Sequence, residues 1–239
     1  KLTSMRKILI FITLLSCCAY ASAQTSREWR DSVSYLSQLI EQNPKSLELR
    51  MRKAEANIAL EQWQYALDEY SNILDLYPTH LGALYFRGYV NDKLKRYSFA
   101  RQDYEQVLRY APDHEGAITG LILVNLSDNR LLNAFDESNH LVELYPDHSS
   151  SYALRAQVED ARGMTELAID DISKSIELEQ DKLPSDYKIT LNDPFTIYVL
   201  HRIELYAKMK KKKYQALAEV DRELLISKGI PSAFFMKKK

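Results

Sequence analysis

The chain has 239 residues, 46% of them hydrophobic and 27% charged, with a formal net charge of −1. This content suits one folded domain or a short repeat array and excludes wholesale disorder. Charge is unevenly placed: residues 24–207 carry 19 Lys and Arg against 30 Asp and Glu, residues 208–239 carry 10 against 3, and the acidic body excludes a duplex-binding surface, which needs many cations facing phosphates.

Residues 1–23 run from Met5-Arg6-Lys7 through the apolar stretch ILIFITLLSCCAYA to Ala21-Ser22-Ala23. A charged start, an apolar middle and a small-residue end are the parts of a secretory signal. The stretch is shorter than the roughly 20 apolar residues that span a bilayer comfortably. The expectation is therefore cleavage after Ala23 and export, to the periplasm or outer membrane of a Gram-negative bacterium. Cys17 and Cys18, the two cysteines of the chain, would leave with the signal. The alternative is that Leu14 to Cys17, which reads LLSC, serves as a lipobox and Cys17 carries a lipid.

Residues 26–44 read as one helix ending at Pro44, and the segment 24–44 is expected to cap the first repeat unit. From residue 45 a period of 34 organises the chain. Pro44, Pro78, Pro112 and Pro146 are spaced by it, and Gln180 is next in the series. Ala66, Ala100, Ala134 and Ala168 repeat at the same interval; Ala54, Gly88 and Ala156 share a second small-residue position that Ile122 breaks. The units are 45–78, 79–112, 113–146 and 147–180. In each, the second half places apolar residues at helical spacing, as in Trp63, Ala66, Leu67, Tyr70, Ile73 and Leu74. The first half, such as 81–94, is another helix, and the short polar turns EQ, KR and DNR suit antiparallel neighbours. Small residues let the two axes approach, and the proline stops the second helix. The Thr or Asp and the His after it fall at the next helix start, where Asp is expected to cap. Residues 181–195 are a polar connection with Pro184 and Pro194, and 196–239 a diverged fifth helix pair with a terminal cap.

This pattern resembles the tetratricopeptide repeat, a 34-residue helix-turn-helix. The matching residues are Ala54, Trp63, Ala66, Tyr70, Ile73 and Pro78 in the first unit, and Gly88, Tyr97, Ala100, Tyr104, Val107 and Pro112 in the second. The third unit has Ile122 for the small residue and Ser138 for the tyrosine, read as a size exchange within one helix pair; the fourth lacks the proline. The resemblance implies an all-α, right-handed α-solenoid of antiparallel helix pairs whose first helices line a concave groove. It places Met51, Glu55, Tyr85, Tyr89, Asp92, Thr119, Leu123 and Gln157 on that groove as candidate partner-binding residues. The carboxylate clamp of the chaperone-binding branch is expected to be missing, because Met51, Glu55, Phe86, Gly116 and Gly120 occupy its places.

His80, His114 and His148 fall 34 apart, too regularly for a catalytic or zinc site whose ligands must converge at about 2 Å from one ion. No H-E-x-x-H, phosphate loop or G-x-S-x-G occurs, so neither catalytic residues, nor a metal, nor a cofactor is expected. The expected function is a non-enzymatic exported scaffold or adaptor that binds a protein or peptide partner through the groove, with no nucleic-acid partner. The alternative is a membrane-associated assembly factor, lipidated at Cys17 or held to anionic lipid by the basic run Lys208 to Lys213.

Overall fold

A computed structural model of the chain describes residues 25–236 except residue 185. The signal and lipobox expectations, residues 1–23 and Cys17, lie outside the described residues. Among the latter all regular structure is helical: α1 (residues 25–42), α2 (Leu47–Ala59), α3 (Trp63–Leu76), α4 (Leu81–Lys93), α5 (Tyr97–Tyr110), α6 (Glu115–Ser127), α7 (Leu131–Leu144), α8 (Ser149–Ala161), α9 (Thr165–Gln180), α10 (Pro194–Lys208) and α11 (Lys212–Ser227), with a 3-10 turn at Ser232–Phe234. No described helix is long and apolar enough to cross a membrane.

The described residues divide into two compact units, one ending at Pro112 and the other beginning at Asp113. In the first, α2 packs on α3, α3 on α4 and α4 on α5; in the second, α6 on α7, α7 on α8, α8 on α9, α9 on α10 and α10 on α11. The fifth pair is real. The four alanines at 66, 100, 134 and 168 are fully buried, as is Ala54, which is what close helix axes demand.

Each of the first four pairs turns through the same motif. Glu61, Lys95 and Asn129 have φ of 54°, 58° and 56°, and Gly163 has 79°. The amide just past each of these residues donates back to a carbonyl of the preceding helix, as from Gln62 N to Asn57 O (2.8 Å), Arg96 N to Asn91 O (2.8 Å), Arg130 N to Asn125 O (2.7 Å) and Met164 N to Glu159 O (2.8 Å). This is a left-handed helix cap that satisfies otherwise orphaned carbonyls.

Several boundaries differ from the sequence expectation. The caps at the helix starts are histidines rather than aspartates: His80 Nδ1 accepts from Ala83 N at 3.0 Å and His114 Nδ1 from Ala117 N at 3.1 Å. An imidazole nitrogen two bonds from Cβ reaches the same amide that an Asp oxygen would. The fifth pair begins at Pro194, not 196, since proline is suited to the first helical position, where its missing N–H costs nothing. The connection is ordered: Ile189 is buried and its N donates to Lys228 O at 3.2 Å. Lacking the closing proline, α9 runs 16 residues where α3, α5 and α7 run 14. The basic run is mostly helix end, with the turn confined to 209–211.

Candidate functional site

The expected groove residues sit on the first helices of the pairs, and each unit presents its own set. In the first unit Met51 and Glu55 belong to α2, and Tyr85, Tyr89 and Asp92 to α4. Met51 reaches the start of α4, its Cε 3.9 Å from where a Cβ on Gly82 would stand. Tyr85 and Tyr89 are four apart and share a helix face, but both rings are half-buried and engaged. Tyr85 meets Phe86 edge-on at 5.1 Å and Tyr104 at 5.9 Å, while Phe86 stacks on Tyr70 at 5.9 Å. Tyr89 meets Trp63 of the preceding pair edge-on at 6.2 Å, and the Lys93 ammonium stands 5.0 Å above its ring. The tyrosines thus form an aromatic wall that is part core and part surface.

The wall's electrostatics converge on two buried hydroxyls. Burial raises the Tyr104 pKa, and Tyr85, Asp92, Tyr89 and Asp103 raise it further; burial and then the Glu55 charge raise that of Tyr70, whose hydroxyl has no hydrogen-bond partner among the described residues. Burial also raises the Asp92 pKa, opposed by Lys93. In the second unit Thr119 and Leu123 belong to α6 and Gln157 to α8. Thr119 is half-buried, and Leu123 and Gln157 are exposed.

A feature that sequence reasoning missed is a ladder of ion pairs between the two helices of a pair. Lys53 and Arg50 both meet Glu69 (2.9 and 2.7 Å), Arg87 clasps Asp103 (2.6 Å), Arg155 clasps Asp171 (2.6 Å) and Arg202 clasps Asp221 (2.7 Å). Two of the clasping arginines also reach the preceding pair, as Arg155 Nη1 donates to Asn139 Oδ1 (3.2 Å) and Arg202 Nη1 to Ser173 Oγ (3.0 Å). A cleft of about 360 Å³ beside Arg87, lined also by Leu67, Ser71, Phe99 and Asp103, is where this ladder meets solvent. The signal was present, for Lys53, Arg87 and Arg155 keep the period, as do Glu69, Asp103 and Asp171, with Leu121 breaking the cationic series.

The third histidine departs from the other two. His148 makes no side-chain cap bond; it stacks on Tyr145 at 5.1 Å and its Nδ1 lies 3.1 Å from Glu115 Oε1, while the Tyr145 hydroxyl donates to Asp113 O. Among the described residues no group of three or more His, Cys, Asp or Glu side chains is placed to hold a metal ion.

No protein-family model matches the sequence, and no curated protein does. Solved structures do match. MamA (41-end) from Desulfovibrio magneticus RS-1 is 22% identical, with a TM-score of 0.62 over 70% of this chain and 97% of its own. A tetratricopeptide repeat protein from Parabacteroides merdae is 18% identical, with a TM-score of 0.62 over 88% and 76%. The fold is the tetratricopeptide-repeat fold. YrrB, described as a tetratricopeptide-repeat protein with an unusual peptide-binding site, matches at 16% identity with a TM-score of 0.56 over 81% of this chain and 92% of its own. The departures of this chain from the repeat pattern are local. Where the tetratricopeptide pattern has its small residue and tyrosine, the third pair has Ile122 and Ser138, both fully buried, with Ser138 Oγ turned to Phe135 O at 2.9 Å.

Proposed function

We propose that the chain is a non-enzymatic, exported scaffold that binds a protein segment along the first-helix faces of its repeats. The observation that carries the reading is the wall of Tyr85, Tyr89 and Phe86 on α4, an aromatic surface held in place by ring contacts from Trp63, Tyr70 and Tyr104. A preformed aromatic surface loses little conformational freedom when a partner docks, which is how a few anchors dominate recognition. YrrB's peptide-binding site supports the same kind of partner here. Export rests on residues 1–23 and is read from their sequence alone.

The membrane-associated alternative has less support. Lys208 pairs with Asp160 and Lys211 with Glu166, so two lysines of the basic run tie the fifth pair to the fourth, while the Lys213 ammonium stands 4.5 Å over the Tyr214 ring of its own helix.

A photo-crosslinking side chain placed at Glu55 or Leu123 in the native host tests the proposal. Protein adducts from these positions, recovered in the periplasmic fraction, and none from the same side chain at Asp75 or Glu105 on the second helices, are expected. Adducts from the second-helix positions alone would overturn the groove reading, and full-length protein retained in the cytoplasm would overturn export.

A further inference from the structure

Glu55 is exposed on α2 and forms no ion pair among the described residues, while Asp92 is half-buried on α4. The cations nearest in sequence are engaged elsewhere: Arg50 and Lys53 are held by Glu69, Arg52 pairs with Glu48, and Arg87 is held by Asp103. The remaining one is Lys93, whose ammonium lies over the Tyr89 ring. The chain itself therefore uses this aromatic face to hold a cation.

A second, independent observation points the same way. The Tyr70 side chain is fully buried, yet its hydroxyl has no partner among the described residues and lies in the field of Glu55. Around Tyr104, burial and then the neighbours Tyr85, Asp92, Tyr89 and Asp103 all oppose further negative charge. Glu55 thus has no ion-pair partner among the described residues, and Asp92 has only Lys93 beside it, the cation that lies over the Tyr89 ring. In the second unit Thr119, Leu123 and Gln157, at the positions of Tyr85 and Glu55, carry no charge, and Asp160, at the position of Asp92, is already paired with Lys208, so the selectivity belongs to the first.

We propose that the α2–α4 wall of the first unit takes a protein segment bearing lysine or arginine, with its cation set against Tyr85 and Tyr89 and within reach of Glu55 and Asp92. A cation over an aromatic ring is attracted by the ring quadrupole. Opposite charge beside a half-buried carboxylate offsets the cost of its desolvation. Met51 and Phe86 supply apolar contact for the methylene stem of such a side chain, which a free metal cation would not use. The proposal rests on the reading that the first-helix faces bind the partner.

The test is selection of random nine-residue peptides displayed on phage against the full chain, followed by titration of the winning synthetic peptide. Winners enriched in Lys and Arg are expected. Their dissociation constant should rise about tenfold or more on Glu55→Gln with Asp92→Asn and rise also between roughly 50 and 300 mM NaCl. The charge-matched control Asp75→Asn with Glu105→Gln should leave it unchanged. Neutral or acidic winners that are lost on Tyr89→Leu would overturn the cation inference and keep the groove reading. Winners indifferent to Tyr89, Glu55 and Asp92 alike would overturn both. A winner matching residues 208–239 of the chain itself, competed by a second copy, would replace a foreign partner with self-association.

Discussion

Gly88 lies against the ring of Tyr104, so that a Cβ on the glycine would stand 3.0 Å from Cε1 and 3.1 Å from Cδ1. One pair further on, the same two positions hold Ile122 and Ser138, both fully buried. Volume has moved from the second helix to the first. Gly88→Ile alone should destabilise by about 1–3 kcal/mol or more through overpacking. Tyr104→Ser alone should also destabilise, and the double variant should recover part of the loss, with a coupling of about 1–3 kcal/mol in chemical denaturation. Strict additivity would show that the two positions do not exchange size.

Lys95 holds the left-handed conformation of its turn at φ 58°, where the fourth pair has Gly163 at 79°. A side chain pays for that region in contact with its own backbone, and glycine does not. Lys95→Gly should therefore stabilise by roughly 0.5–1 kcal/mol, and Gly163→Lys should destabilise by a similar amount. Thermal melts of the two variants moving in the same direction would contradict this.

His80 caps α4 and His148 does not cap α8. His80→Ala should cost about 0.5–2 kcal/mol and His80→Asn much less, because the amide oxygen can accept from Ala83 N. His148→Ala should stay within about 0.5 kcal/mol. Urea midpoints distinguish the three.

Glu159 stands where the first three pairs have Asn57, Asn91 and Asn125, and it is buried. Burial, then the charge of Asp171, raise its pKa from 4.5 to about 7, against the opposing Arg155. Folded protein binds this proton more tightly than unfolded protein does. The group's favourable contribution is thus complete below its unfolded pKa and lost as pH rises to about 7. Glu159→Gln removes that loss. Its stability relative to the parent should grow from about pH 4 to pH 8 by roughly 1–3 kcal/mol, read from urea denaturation at each pH; a difference independent of pH would exclude the titration.

The helix pairs were legible in the sequence because their constraint is steric and periodic. A position that must be small, such as Ala100, or a proline that must stop a helix, such as Pro112, repeats as a letter. The fifth pair was legible from its apolar spacing, although its start is displaced when Pro194 is read as loop. The histidine caps were hidden because Asp113 beside His114 is the commoner capping residue, and only the backbone decides which of two neighbours sits at the boundary. The ion pairs were hidden for another reason: Arg87 and Asp103 lie on different helices, so helical spacing does not reveal them. For the aromatic wall, sequence placed Tyr85 and Tyr89 on one face. It did not show that Tyr89 leans on Trp63, which depends on how successive pairs stack.

Arg155 holds α7 through Asn139 and α9 through Asp171, and Arg202 holds α9 through Ser173 and α11 through Asp221. In a linear array, stability divides into what each repeat contributes alone and what neighbours contribute together. These arginines belong to the second kind, since none can let go of one helix pair without loosening the next. Fraying of α11 would break Arg202 from Asp221 and leave a half-buried guanidinium held only by Ser173. Amide hydrogens of α8 to α11 should accordingly exchange with one common protection, as a single opening event rather than a gradient.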